Sequence, residues 1–190
     1  DIARIEGFLQ EPSGYNAAGE PIALNFATGE PDTRTLRHPD GVILDIGTHV
    51  LAMLRETVRY LCGHDDMALQ VVTAKDRLGR DIARGDLTTA EGEAHLQGRI
   101  SGVPVDIRLN KYAGPAVGQK GLRLYLRDGR IISHDRRGAE DVLELIEGKD
   151  IQRWHIPGTI YEHCLAEHIL GAKSLFERDP HEVSRTTRRR

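Results

Sequence analysis

Asp45 and His49 are the two residues whose types and spacing could do chemistry. They lie in the stretch Gly41-Val42-Ile43-Leu44-Asp45-Ile46-Gly47-Thr48-His49. In an α-helix, side chains four residues apart stand on one face, within reach of each other. A carboxylate beside an imidazole raises its pKa and fixes its orientation, which makes a general acid/base. The plain alternative is an exposed i,i+4 ion pair worth a few tenths of a kcal/mol. At 100° per residue, Ile43, Ile46, Val50, Leu54, Val58 and Leu61 form one apolar stripe, with Asp45, His49, Ala52 and Glu56 on the far side. The expected helix over 41–61 therefore buries one side and offers the acid–imidazole pair on the other.

Several elements must position that helix. Over 2–10, Ala3, Ile5, Gly7 and Leu9 alternate with Arg4, Glu6 and Phe8, which predicts a strand. A stretch rich in Pro, Gly, Asn, Asp and Thr follows over 11–40. So long a loop in a compact domain is commonly functional, and Asn25, Arg34, Arg37 and His38 are its candidate substrate contacts. Cys62-Gly63 is a natural C-cap, and 68–75 reads as a short strand before a charged loop over 76–86.

The alternation then becomes strict. Ala94, Leu96, Gly98 and Ile100 point one way, and so do Val103, Val105, Ile107 and Leu109 after the Ser101-Gly102 turn, which predicts a β-hairpin. A second hairpin runs from Leu122 through Asp128-Gly129 to His134. Gly114–Gly121 is glycine-rich, but it contains Pro115 and opens no helix, so it is not read as a phosphate loop. Residues 140–147 fit a helix or a strand, 151–156 a final strand, and 160–178 a second helix with Tyr161, Leu165, Ile169, Ala172 and Phe176 on its apolar face. His163 and His168 are not at metal-pair spacing, and 179–190 is a basic tail of the kind that is usually solvated. The expected architecture is one α+β domain over 1–178. A mostly antiparallel, open-faced sheet of about six strands would carry the helices on one face.

Composition sets outer bounds. The chain has 190 residues, a 39% apolar fraction, a 29% charged fraction and a formal charge of −3, which fits a globular domain and gives no electrostatic case for nucleic acid or anionic membrane. No run of ~18 apolar residues predicts a membrane helix. Cys62 and Cys164 are far apart without a CxxC, so free thiols packed in the core and a cytoplasmic setting are expected, with no metal site. The opening Asp1-Ile2-Ala3-Arg4 has neither a starting Met nor a signal-peptide pattern, so a piece of a longer protein is expected.

The Gly41-x-x-x-Asp45-Ile46-Gly47-x-His49 motif, preceded by a strand and a long loop, resembles the C-terminal domain of the glucose-fructose oxidoreductase and inositol dehydrogenase (Gfo/Idh/MocA) family. The resemblance covers most of the chain in element order, but only this motif is specific. It implies the substrate-side domain of an NAD(P)-dependent oxidoreductase acting on a sugar, cyclitol or similar polyol. His49 would be the acid/base for a substrate hydroxyl, Asp45 its support, and Asn25, Arg37 and His38 substrate contacts. NAD or NADP would be held mainly by an N-terminal Rossmann domain outside this chain, and the chain alone would be inactive. The family's Glu-Lys-Pro-type lysine is also missing, and Asp40-Gly41-Val42 stands where the family often has two or three glycines. The resemblance further implies self-association through the sheet's outer face, carrying Glu93, His95, Gln97, Arg99, Asp106, Arg108, Arg123 and Arg127. The alternative is a non-enzymatic α+β module for binding or oligomerisation.

Overall fold

Ten strands and two helices are described in a computed structural model, which covers residues 1–24, 28–31, 41–112, 118–137 and 140–156. In chain order they are β1 (Ile2–Gln10), β2 (Ser13–Tyr15), β3 (Pro21–Ala23), α1 (Val42–Asp45), α2 (Gly47–Cys62), β4 (Met67–Lys75), β5 (Glu93–Ile100), β6 (Val103–Asn110), β7 (Gln119–Leu126), β8 (Ile131–Arg137), β9 (Glu140–Glu147) and β10 (Asp150–Ile156). Eight strands form one sheet in the order β10-β9-β8-β7-β1-β6-β5-β4, and β2 and β3 pair separately.

This corrects the expected architecture. The described residues are 53% strand and 15% helix, and the sheet is mixed and eight-stranded, where a mostly antiparallel sheet of about six was expected. It is mixed because β1 enters its middle: β1 pairs antiparallel with β7 on one side and parallel with β6 on the other, Ile5 opposite both Leu124 and Val105. The extra strands come largely from 140–147, whose helix-or-strand ambiguity resolves as β9, hydrogen-bonded to β8 and β10. Among the described residues one long helix, α2, packs on the sheet, where two long helices were expected. The second expected helix, over 160–178, lies outside the described residues, as do His163, His168, Cys164 and the tail.

The helix over 41–61 also differs in detail. It breaks at Ile46, whose N–H closes α1 onto the Val42 carbonyl at 3.0 Å and whose φ of −107° separates α1 from α2. The buried stripe becomes Val42, Ile46, Val50, Leu54 and Val58, while Ile43 is half-buried and Leu61 is exposed. Gly63 caps α2 at φ 80°, its N–H bonded to the Arg59 carbonyl at 2.8 Å. Cys62 is a free thiol but exposed, not packed in the core.

The core lies between α2 and the inward-facing residues of β5, β6, β1 and β7, including Leu96, Ile107, Leu109, Ile5, Leu9 and Leu122. Close approach depends on Gly7: a Cβ there would lie 2.8 Å from Val50 Cγ1 and 2.9 Å from Leu54 Cδ1. The helix thus settles directly on the middle strand. Both side chains are fully buried, each worth about 1.5–3 kcal/mol relative to exposure.

The opposite face is polar and paired with itself. The Tyr125 hydroxyl donates to Glu6 at 2.7 Å, and the Arg4 guanidinium lies 3.4 Å over the Tyr125 ring. Across β5 and β6, His95 Nε2 lies 2.6 Å from Asp106 Oδ2, which also accepts from Gln97 at 2.9 Å. Burial alone would raise the Asp106 pKa; the hydrogen bonds from Gln97 and His95 outweigh it and hold the carboxyl below its ordinary value. Among the described residues, no helix is long and apolar enough to cross a membrane.

Candidate functional site

Each residue of the Gly41–His49 motif meets a definite physical demand. Gly41 stands in extended conformation before α1, and a Cβ on it would lie 2.0 Å from the Glu91 carboxylate. That carboxylate covers the helix start, accepting the Ile43 N–H at 3.0 Å, where negative charge meets the positive end of the backbone dipole. Gly47 stands against β6, where a Cβ would lie 2.8 Å from Leu109 Cδ1. The two glycines let the helix start sit down on the end of the sheet, and Asp45 and His49 are delivered there.

Asp45 is not the partner of His49 that the spacing predicts. Its Oδ2 accepts from Lys111 Nζ at 2.5 Å. Lys111 follows the last residue of β6, is 1% exposed, and lies 3.4 Å from Glu11 Oε2 at the end of β1. An ammonium this deeply buried requires carboxylates around it, because the isolated charge would be too costly. Among the described residues Asp45 therefore belongs, with Lys111 and Glu11, to an ionic clamp that ties α1 to the ends of two strands.

His49 is exposed, and among the described residues its ring makes no hydrogen bond. Its pKa is lowered, not raised as the Asp45 spacing implied. Loss of water around the ring is the largest cause, and the Lys120 charge adds to it. Asp45 and Glu11, acting only through space, pull weakly the other way. At neutral pH the imidazole is uncharged and able to accept a proton.

The surrounding row is polar. On the helix side of the sheet, Leu9 stands opposite Lys120, Lys120 opposite Arg136, and Arg136 opposite Asp141. Asp141 lies 3.3 Å from His134 Nε2 and 3.7 Å from Arg136 Nη1. Burial is the main reason the Lys120 pKa falls, with the Arg136 charge second; Asp141 and Glu11 oppose both.

Of the candidates read from sequence, Asp45 and His49 come to the same end of the sheet, on successive helices. Asn25, Arg34, Arg37 and His38 lie outside the described residues. Sequence reasoning missed Glu91, Glu11, Lys111 and Lys120. A signal for the last three was present: each continues the inward-facing phase of its strand one step beyond an apolar run, after Leu9, after Leu109 and before Leu122.

The described residues contain no strand–Gly-x-Gly-x-x-Gly–helix unit. The start of α1, where a pyrophosphate would seek backbone N–H groups, is already covered by the Glu91 carboxylate. No group of three or more His, Cys, Asp and Glu among the described residues is arranged to hold a metal ion. Compared with known proteins, the chain matches no family model and no curated protein.

Proposed function

We propose that this chain is the substrate-side domain of an NAD(P)-dependent oxidoreductase acting on a sugar, cyclitol or similar polyol. The observation that carries the reading is His49. It is a neutral, exposed imidazole with no hydrogen bond among the described residues, held at the helix start beside the locked Asp45–Lys111–Glu11 clamp. Such a ring can take the proton of a substrate hydroxyl as the adjacent carbon is oxidised, and return it in the reverse direction. Asp45 acts on that ring by charge alone, while Lys111 fixes where the charge sits. NAD or NADP belongs to a Rossmann domain outside this chain. A cytoplasmic setting, and self-association through the outer sheet face, complete the reading.

A second reading has its own support. Asp45 is committed to Lys111, which a purely structural clamp would also require. A cleft of about 330 Å³ also opens between the β2–β3 hairpin and the loop after β4, lined by Tyr15, Arg77, Glu93, Asn110 and Tyr112 and not by His49. These favour a non-enzymatic module for binding or assembly. The discriminating experiment is a dehydrogenase assay of the full-length protein with NAD and NADP against a panel of sugars and cyclitols. Turnover with one of them supports the enzyme. No turnover with any, together with ligand binding that depends on Tyr112, supports the module.

A further inference from the structure

Lys120 is half-buried on the helix side of β7, yet among the described residues its ammonium makes no hydrogen bond or ion pair. The nearby carboxylates are engaged elsewhere: Glu11 with Lys111 at 3.4 Å, and Asp141 with His134 at 3.3 Å and Arg136 at 3.7 Å. Directly across the β7–β8 pair stands a second cation, Arg136. Like charges facing each other across two strands are destabilising, and burying an ammonium without a partner is costly. Neither is tolerated for packing, since an apolar residue would extend the run of Leu122 and Leu124.

Lys120 also lies near His49. Val50 and Leu54 sit over Gly7, whose neighbour on β7 is Leu122. Gly47 leans onto Leu109 of β6. His49, on the other flank of α2, therefore leans toward β7, where Lys120 lies one inward step before Leu122. The Lys120 charge is accordingly felt at the His49 ring.

We propose that Lys120, with Arg136 beside it, is a subsite for an oxyanion, a carboxylate or a phosphate, carried by the polyol whose hydroxyl meets His49. This rests on the reading of His49 as the group that faces the substrate. The Lys120 ammonium provides charge-assisted donors for such an oxyanion, whose negative charge offsets the repulsion between Lys120 and Arg136.

The test is calorimetric titration of the full-length protein with three probes on one carbon skeleton: sorbitol, gluconate and sorbitol 6-phosphate. One of the two anionic probes is expected to bind at least about tenfold more tightly than sorbitol, the scale of one charge-assisted hydrogen bond. Which of them does so separates carboxylate from phosphate. Lys120→Met should abolish that preference, and Lys120→Arg should keep it. Lys120→Met should also melt at or above the unmodified protein, since it removes a repulsion and a buried charge; a purely structural lysine would melt lower. Equal binding of all three probes, no binding of any, or a preference that survives Lys120→Met overturns the subsite. Turnover of His49→Ala separates the two readings. If that variant loses turnover while no anion preference exists, the subsite fails and the acid–base reading stands. If the preference exists while His49→Ala keeps full turnover, the acid–base reading fails.

Discussion

Lys111→Met removes the cation that ties Asp45 and Glu11 together. Methionine keeps most of the lysine stem, so little cavity opens and the effect isolates the charge. What remains is two carboxylates, 22% and 14% exposed, facing the place where an ammonium stood 2.5 and 3.4 Å away. Breaking a buried pair by removing one partner costs about 3–5 kcal/mol, and the residual exposure of the carboxylates places this case near the lower end, about 3 kcal/mol. For a chain of this size each kcal/mol shifts Tm by about 2–4 °C, so a fall of about 6–12 °C is expected in a thermal melt. Adding Asp45→Asn to Lys111→Met removes one of the two carboxylate charges and should restore part of the loss. Lys111→Met alone should raise the His49 pKa, followed by NMR titration of its ring protons, because the Asp45 charge is then no longer offset. A Tm within about 2 °C of the unmodified protein would refute the clamp.

Gly7→Ala should destabilise by about 1–3 kcal/mol, read from urea unfolding, because the new Cβ meets Val50 and Leu54 in the buried core. Relative to His49→Gln, the protein should lose stability as pH falls below about 6.5: the native imidazole pKa is lowered, so the unfolded chain takes up its proton first, and the difference is complete once pH is below the native value. Calorimetric titration of the isolated chain with NAD or NADP should show no binding, and a micromolar dissociation constant would place the cofactor site within this chain. Light scattering on the purified chain should show a mass above the monomer, and a monomer at every accessible concentration would remove the outer face as an interface.

The parts of the fold legible in the sequence are those set by local alternation. The hairpin of β5 and β6 was readable to its ends because every second residue is apolar and Ser101-Gly102 can take the positive φ of 49° and 77° that the turn requires. Residues 140–147 were not, because Val142 is buried on one face and Leu143 and Leu145 are half-buried on the other, which leaves no period to read. The pairing of Ile5 with Val105 has no local signature at all. It follows from how the whole sheet closes, and it makes the sheet mixed where a mostly antiparallel one was expected.

At the site, spacing placed Asp45 and His49 on one helix with their side chains in reach of each other; they stand at the same end of the sheet but on successive helices, α1 and α2. Spacing could not show that Lys111, distant in sequence, would take the carboxylate. The shift in the buried stripe from Ile43 to Val42 has the same origin: the break at Ile46 is fixed by how the helix start fits Leu109 and Glu91, not by its own periodicity. Charged residues at inward-phase positions, one step beyond the apolar run of a strand, were the readable sign of the ionic row.

The proposed acid–base role of His49 is tested most directly by the steady-state turnover of His49→Ala in the full-length protein, on a sugar or cyclitol that the unmodified protein is found to turn over, with a melt of the same sample. The ring is exposed and off the core, so the variant should melt with the unmodified protein while turnover falls by about 10²–10⁴-fold, the usual contribution of general acid–base catalysis. Unchanged turnover, or a melt far below that of the unmodified protein, would contradict it.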